Sequence, residues 1–268
     1  MKLVRFQTDG SPAEFGAFKE DGTVSRLLGN LETGFSLTGE TVIEFQLLPP
    51  VNPPAIYCVG ANYRYHIQEC GGGKVPEFPI IFMKGINTLQ SNEGPIILPK
   101  VCSSTEVDYE GELAVVIGRT CRDVKRDEAL SHVAGYACAN DISARDWQLK
   151  LGGSQWCRGK GFDTFLPIGP YLVTSDEVFD PNQLQLRTWL NDELVQDWST
   201  SDMVFDVPAI IEFLSQYTTL LPGTVILTGT PHGVGMARNP PRWLQEGDTI
   251  SVEITSLGRL TNPVQNTL

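Results

Sequence analysis

Val107-Asp108-Tyr109-Glu110-Gly111-Glu112-Leu113-Ala114-Val115-Val116-Ile117 places two glutamates one residue apart, directly ahead of an apolar run of strong β character. In a strand alternate side chains share a face, so Glu110 and Glu112 project together while Tyr109 and Gly111 point away. Parallel carboxylates repel each other and raise each other's pKa unless positive charge balances them. A hard divalent ion bound through oxygen meets that demand. An acidic pair on the wet face of an edge strand is equally compatible with the pattern, and the spacing alone leaves both readings open.

On either side of this stretch the chain is rich in strands. Ile56 to Val59, Val133 to Ile142, Val225 to Leu227 and Thr249 to Ile254 read as strands, and Leu186–Leu190 with Glu193–Asp197 as a hairpin about Asn191-Asp192. Short helices are expected over Asn62 to Glu69 and Asp127 to Leu130. The clearest helix begins near Asp206, with Pro208 in its first turn and an apolar stripe through Ile210, Ile211, Phe213, Leu214 and Tyr217. Strands do not alternate regularly with helices, which argues against a doubly wound parallel sheet. Upstream, Leu3–Phe6 and Phe15–Phe18 run into Asp9-Gly10 and Asp21-Gly22 turns, and the stiff Pro49-Pro50-Val51-Asn52-Pro53-Pro54 marks a boundary. The expectation is a small β-rich N-terminal domain, residues 1–50, and a main body, residues 51–268, in a mainly β (α+β) architecture.

The net charge of −12 and the acidic pI near 4.7 argue against nucleic acid or an anionic membrane as partner. An anionic substrate stays accessible where a metal and a few basic residues reverse the potential locally. Six cysteines lie at 58, 70, 102, 121, 138 and 157 without a Cys-x-x-Cys pair, which points to reduced, mostly buried thiols. With no membrane-length apolar run and no apolar signal core at the start, the expected location is the cytoplasm. A mitochondrial matrix is the alternative if a transit segment precedes this chain.

A metal site wants a third oxygen ligand, and Asp141 in Ala139-Asn140-Asp141-Ile142-Ser143-Ala144-Arg145-Asp146 ends an apolar run where an unpartnered carboxylate is costly to bury. The structural alternative places the same residue at the start of a turn, capping Ser143 to Trp147. His66 and Glu69 are three apart, so one helical turn puts them on one face. A carboxylate on an imidazole fixes its tautomer and raises its basicity; a plain surface pair is the commoner meaning of that spacing.

The chain resembles the fumarylacetoacetate hydrolase superfamily across residues 55–265. The resemblance is carried by Val59-Gly60-Ala61-Asn62-Tyr63 with His66 and Glu69, Phe82-Met83-Lys84, Asp108-Tyr109-Glu110-Gly111-Glu112, Asn140-Asp141-Ile142-Ser143-Ala144-Arg145-Asp146, Gly159-Lys160-Gly161-Phe162-Asp163-Thr164-Phe165 and Ile226-Leu227-Thr228-Gly229-Thr230-Pro231. Ser201–Phe205 and Asn239-Pro240-Pro241 are most similar to the branch called fumarylacetoacetate hydrolase domain-containing protein 2. The resemblance implies a β-roll of mixed, mostly antiparallel sheets, a homodimer, and Mg²⁺ (or Mn²⁺ or Ca²⁺) held by Glu110, Glu112 and Asp141. It further implies Lys160 beside metal and substrate, and a His66–Glu69 dyad on a mobile lid for which Gly71-Gly72-Gly73 supplies hinge freedom. Arg64, Lys84, Gln148 and Thr230 are the expected substrate contacts, with Thr164 a further polar position near the site. His132 is given no role, and His232 reads as a structural turn position.

A 2-keto acid offers a carboxylate and a keto oxygen that chelate such an ion together. The leading expectation is hydrolysis of a C–C bond in an acylpyruvate- or fumarylpyruvate-type 1,3-diketo acid. In it His66, supported by Glu69, activates water and Lys160 stabilises developing charge. Oxaloacetate decarboxylation or keto–enol tautomerisation at the same site are the alternatives, as is isomerisation or hydration of unsaturated 2-keto diacids. A metal-stabilised scaffold without turnover is the non-enzymatic one. A nucleotide-binding module is set aside for want of a glycine-rich phosphate loop.

Overall fold

In the computed structural model, which describes residues 1–267, the N-terminal segment forms β1 (Lys2–Gln7), β2 (Glu14–Phe18), β3 (Val24–Asn30), β4 (Gly34–Val42) and β5 (Gln46–Leu48). The first two turns fall at the Asp-Gly pairs, where Gly10 and Gly22 adopt φ of +73° and +82°. Glycine takes these left-handed values without a Cβ clash. Past the proline-rich stretch come β6 (Ile56–Gly60), α1 (Arg64–Glu69), β7 (Ile80–Met83), β8 (Leu89–Gln90), β9 (Ile96–Leu98), β10 (Val107–Asp108) and β11 (Gly111–Ile117). Then follow β12 (Val133–Asn140), β13 (Ser143–Ala144), α2 (Trp156–Lys160), β14 (Leu166–Thr174), the hairpin β15 (Gln185–Leu190) and β16 (Glu193–Ser199), α3 (Val207–Ser215), β17 (Val225–Leu227), β18 (Thr249–Ile254) and β19 (Gly258–Asn266).

A 12-stranded sheet runs β4-β3-β2-β1-β14-β12-β11-β17-β6-β7, with β5 beside β1 and β8 beside β14; a 5-stranded sheet runs β16-β15-β18-β19-β9. Most ladders are antiparallel, and β6–β17, β8–β14 and β9–β19 are parallel. This is the mixed, mostly antiparallel β-rich fold expected from the sequence. β1 joins the sheet of the body directly, Lys2 and Leu3 pairing with Val173 and Leu172 of β14.

β11 lies inside the molecule and is buried on both faces. Leu113, Val115 and Ile117 pack among Val207, Ile210 and Ile211 of α3 and Val252 and Ile254 of β18. Ala114 and Val116 face the other way, among Ile56, Cys58, Leu166 and Leu227. Two apolar faces explain the unbroken hydrophobic run. α3 starts as expected: Asp206 accepts a hydrogen bond from Ala209 N at 3.0 Å and Pro208 sits in the first turn.

Three expectations need correction. The strand Val107–Ile117 is broken at Tyr109-Glu110, because Asp108 Oδ1 takes Tyr109 N at 2.8 Å and Asn140 Oδ1 takes Glu110 N at 3.0 Å. Those two donors leave the ladder, and β10 pairs separately with β13. The brief helix expected over Asp127–Leu130 is a 3₁₀ turn over Ala129–His132. Of the cysteines, Cys58, Cys121 and Cys138 are buried while Cys70, Cys102 and Cys157 are exposed, so only half of the free thiols are inside. No helix among the described residues is long and apolar enough to cross a membrane.

Candidate active site

The register of β11 on β12 builds the acidic cluster. Gly111 pairs with Asn140, so the residue entering β11 and the residue leaving β12 meet at one end of the ladder. Asp141 N donates to Glu110 O at 2.9 Å, and Glu112 lies on the same face of β11. Oxygens of Glu110, Glu112 and Asp141 all lie within 4.8 Å of one another, and all three residues are buried. On the opposite face Gly111 is pressed against the second sheet: a Cβ there would stand 2.2 Å from Thr188 Oγ1 and 3.1 Å from Gln196 Oε1.

Burial of so much negative charge demands cations, and three basic side chains converge. Lys160 Nζ, at the end of α2, donates to Glu110 Oε2 (2.7 Å), Asp141 Oδ2 (2.6 Å) and Ser143 Oγ (2.6 Å), which uses all its protons. Lys84 Nζ, just past β7, binds Asp141 Oδ1 at 2.7 Å and Ile142 O at 3.1 Å. Arg145 spans Asp108 Oδ2 (2.9 Å), Glu110 Oε1 (2.7 Å) and Gln148 Oε1 (3.0 Å). Burial pushes the Glu110 carboxyl up, but Arg145 and Lys160 outweigh it and hold the group below the usual carboxylate range. Burial pushes Lys160 down, and Asp141 and Glu110 more than reverse it.

Glu112 is the exception. Its Oε2 accepts from Gly229 N at 2.8 Å, and no basic side chain pairs with it among the described residues. Burial, then Asp141 and Glu110, drive its pKa well above the ordinary value. Asp108, Glu110, Glu112 and Asp141 face only Lys84, Arg145 and Lys160, and the unmatched charge falls on Glu112. Three clustered carboxylates, one of them without a counter-charge, fit a hard divalent cation in donor chemistry.

Above the cluster lies a cavity of about 360 Å³. Its charged floor is Glu110, Glu112, Arg145 and Lys160; Ile80, Phe82, Leu149 and Trp156 contribute apolar wall; His66, Cys70 and Lys74 come from α1 and the segment after it. His66 Nδ1 is 2.7 Å from Glu69 Oε1, and Glu69 Oε2 accepts from Gly233 N at 2.8 Å. Burial alone would lower the imidazole pKa; the Cys70 thiol and the Glu69 carboxylate outweigh it and hold His66 up at about 10. An imidazolium is therefore the resting form near neutral pH.

Of the residues singled out in the sequence, His66, Glu110, Glu112, Gln148, Lys160 and Thr230 line one cavity. Asp141 is fully buried against Lys84 and Lys160, and Glu69 backs His66. Three others are placed differently. Arg64 lies outside the cavity lining, its Nη1 bound to Asp202 O and Met203 O, both at 2.9 Å. Lys84 is sealed beneath the cluster, side chain 0% exposed, and anchors Asp141 where a substrate carboxylate was expected. Thr164 Oγ1 accepts from Ile97 N at 2.8 Å, away from the cavity. His232 packs against Tyr65 and Trp198. Sequence reading passed over Arg145, Asp108 and Ser143 as site residues, although they stand inside quoted motifs. The signal was the charge imbalance: a buried acidic trio needs more than one basic partner.

A β-roll whose interior ladder ends in a carboxylate trio, with lysines beneath and a cavity above, presents a candidate metal site facing room for a small molecule. Residues 55–265 match the family described as fumarylacetoacetate (FAA) hydrolase C-terminal, and residues 1–50 match the one described as Rv2993c-like, N-terminal. The chain belongs to the fumarylacetoacetate hydrolase family. It is 42% identical to "Oxaloacetate tautomerase fahd2, mitochondrial" of Xenopus laevis, over 98% of this chain and 90% of that protein. With "Oxaloacetate tautomerase FAHD2A, mitochondrial" of Homo sapiens it shares 46% identity, over 81% of this chain and 68% of that protein. Among solved structures, 5-carboxymethyl-2-hydroxymuconate delta-isomerase from Mycobacterium smegmatis superposes with a TM-score of 0.87 at 37% identity, all of both chains covered. A fumarylacetoacetate hydrolase from Exiguobacterium antarcticum gives 0.86 at 38% identity, again over the whole of both chains.

Proposed function

We propose that this chain is a divalent-metal-dependent enzyme that interconverts the enol and keto forms of a small 2-keto diacid of the oxaloacetate type. The observation that carries this reading is the 42% identity, over 98% of the chain, to a protein named oxaloacetate tautomerase. The residues lining the cavity supply the chemistry. A divalent ion at Glu110, Glu112 and Asp141, magnesium first and manganese or calcium as alternatives, would act as a Lewis acid on a keto acid chelated through its carboxylate and keto oxygens.

His66, protonated and oriented by Glu69, gives its proton to the carbon beside the keto group while the enol oxygen releases its own to water, and the imidazole regains a proton from solvent; the reverse direction runs the same transfers backwards. Lys160 and Arg145 keep Glu110 ionised. Gln148 accepts from Arg145 through Oε1, and its amide nitrogen has no protein acceptor among the described residues, so it is available to a substrate oxygen. Lys74 lines the cavity and has no acidic partner among the described residues; it suits the distal carboxylate of a diacid. The apolar wall of Ile80, Phe82 and Trp156 limits water around the reacting carbon.

C–C hydrolysis, ranked first on sequence, becomes the second reading. It is favoured by the His66–Glu69 dyad, which with a neutral imidazole would activate water. The relatives' names also move the proposed location from the cytoplasm to a mitochondrial matrix or an equivalent reducing compartment. The homodimer remains part of this reading and is checked by sedimentation. The deciding experiment follows loss of enol absorbance on adding the protein to enol-oxaloacetate, with magnesium and then with excess chelator. Acetylpyruvate in ¹⁸O-water is run in parallel. Metal-dependent acceleration of ketonisation supports tautomerisation. No acceleration, together with ¹⁸O entering the acid product from acetylpyruvate, would overturn it in favour of hydrolysis, and release of carbon dioxide would mark decarboxylation.

A further inference from the structure

A second set of donors, of different chemistry, stands on the cavity wall. His66, Glu69 and Cys70 stand at i, i+3 and i+4, the last capping α1, so all three share one face at the end of the helix. An imidazole nitrogen, a carboxylate oxygen and a thiol sulfur from these residues all lie within 4.8 Å of one another. Cys70 Sγ is 3.9 Å from His66 Nδ1 and 3.8 Å from Nε2. Tetrahedral zinc with one N, one O and one S ligand separates the donor atoms by about 3.3–3.6 Å, given its bond lengths. Shifts on the order of an ångström therefore convert this cluster into a chelate.

The surroundings permit those shifts and admit an ion. Cys70 is exposed, and the His66 and Glu69 side chains are 12% and 20% accessible. Gly71 and Gly72, directly after Cys70, have φ of +111° and +69° with open space around them, so the end of the helix is free to adjust. Glu69 is already steered by Gly233 N on Oε2, the kind of outer hydrogen bond that orients a metal-bound carboxylate. Hard ions favour the all-oxygen trio below, whereas a thiolate and an imidazole select zinc or a similarly borderline ion.

We propose that His66, Glu69 and Cys70 form a second metal site, selective for zinc over magnesium, whose occupation silences the enzyme by taking His66 out of proton transfer. Binding releases a proton from the Cys70 thiol and one from the His66 imidazolium, and leaves the fourth position to water. The inhibition, but not the binding, rests on the tautomerase reading; metal spectroscopy on the full chain tests the site independently of any activity.

Cobalt(II) is the spectroscopic probe, added to full-length protein saturated with magnesium. The expected result is a near-ultraviolet thiolate-to-cobalt charge-transfer band that Cys70→Ser abolishes, although Cys102 and Cys157 stay exposed. In the enol-oxaloacetate assay under saturating magnesium, micromolar zinc should inhibit the wild type. Measured against its own zinc-free rate, Cys70→Ser should need roughly 10–100-fold more zinc for half-inhibition, since losing a ligand costs at least as much as losing an outer-shell partner. A charge-transfer band that persists in Cys70→Ser, or no band in the wild type, overturns the site. Equal zinc sensitivity of the two proteins, relieved by more magnesium, overturns the inhibition and assigns zinc to the acidic trio. A cobalt band without measurable turnover would uphold the site and count against the proposed function alone.

Discussion

Glu112 accepts one hydrogen bond, from Gly229 N at 2.8 Å, whereas Glu110 is gripped by Arg145 and Lys160. Two residues apart, they have opposite electrostatic fates: Glu110 is pulled below the ordinary carboxylate range and Glu112 pushed well above it. Glu112→Gln should therefore melt higher than the wild type in chelator, because the uncompensated charge is gone. Magnesium should raise the melting temperature of the wild type and leave the variant unmoved. At a hundred times its dissociation constant a ligand adds about 2.7 kcal/mol, several degrees for a chain of this size. His66 carries the pH dependence. Its pKa is raised from an ordinary 6.5 to about 10, so the stabilisation from its ionised form is complete below 6.5 and lost as pH rises through about 10. Ketonisation that uses the imidazolium should hold through neutral pH and fall on the alkaline side, and Glu69→Gln should move that fall toward neutrality. A pH–rate profile rising through the His66 transition would count against proton donation.

At the scale of the element, the strand carrying the acidic pair is where sequence and structure part most instructively. The apolar residues after Glu112 read correctly as a strand, since a face buried on each side leaves no polar position. The interruption at Tyr109-Glu110 was not readable, because only half of it is local, Asp108 taking Tyr109 N; the other half is made by Asn140, 30 residues away in sequence. Glu110 and Glu112 nevertheless come together, their oxygens lying within 4.8 Å of each other and of Asp141 at the end of β12. Gly111 is fixed by the second sheet behind it rather than by any turn. Gly111→Ala would force a Cβ to within 2.2 Å of Thr188 Oγ1 unless that sheet gives way, a cost of about 1–3 kcal/mol. A lower urea midpoint with unchanged m-value should report it. The hairpin at Asn191-Asp192 was legible because its turn is local: Asn191 takes φ of +56°, which asparagine tolerates.

Across the whole molecule, β1 ties the N-terminal strands to β14, and β14 borders the ladder that ends in Asp141. Leu3 is 1% exposed and packs with Leu166, Ile168, Ala137 and Ala139 in the core on the site side of the sheet. Leu3→Ala should cost about 2–5 kcal/mol, with a single unfolding transition seen by both fluorescence and circular dichroism. Two separated transitions would instead mark residues 1–50 as independently stable. The cavity is likewise a product of the whole chain, its floor from strands and α2 and one wall from the segment that carries Lys74. Lys74→Met should raise KM for a 2-keto diacid with little change in kcat, and leave KM for a monocarboxylic 2-keto acid untouched. An equal rise for both would show that Lys74 does not read the distal carboxylate.

The sequence by itself settled the features that depend on neighbours along the chain: strand-rich architecture, the α3 cap at Asp206, the β15–β16 turn, and a family pattern that put Glu110, Glu112, Asp141, Lys160 and His66 in one site. Only the tertiary structure decided how charge is shared among them. That Lys84 props Asp141, that Arg64 binds backbone carbonyls, and that Arg145 bridges Asp108 and Glu110 are consequences of contacts between residues 35 to 139 positions apart. Electrostatic energy in a buried site falls with distance in space and is indifferent to distance in sequence, so the chain must fold before its charges find their partners.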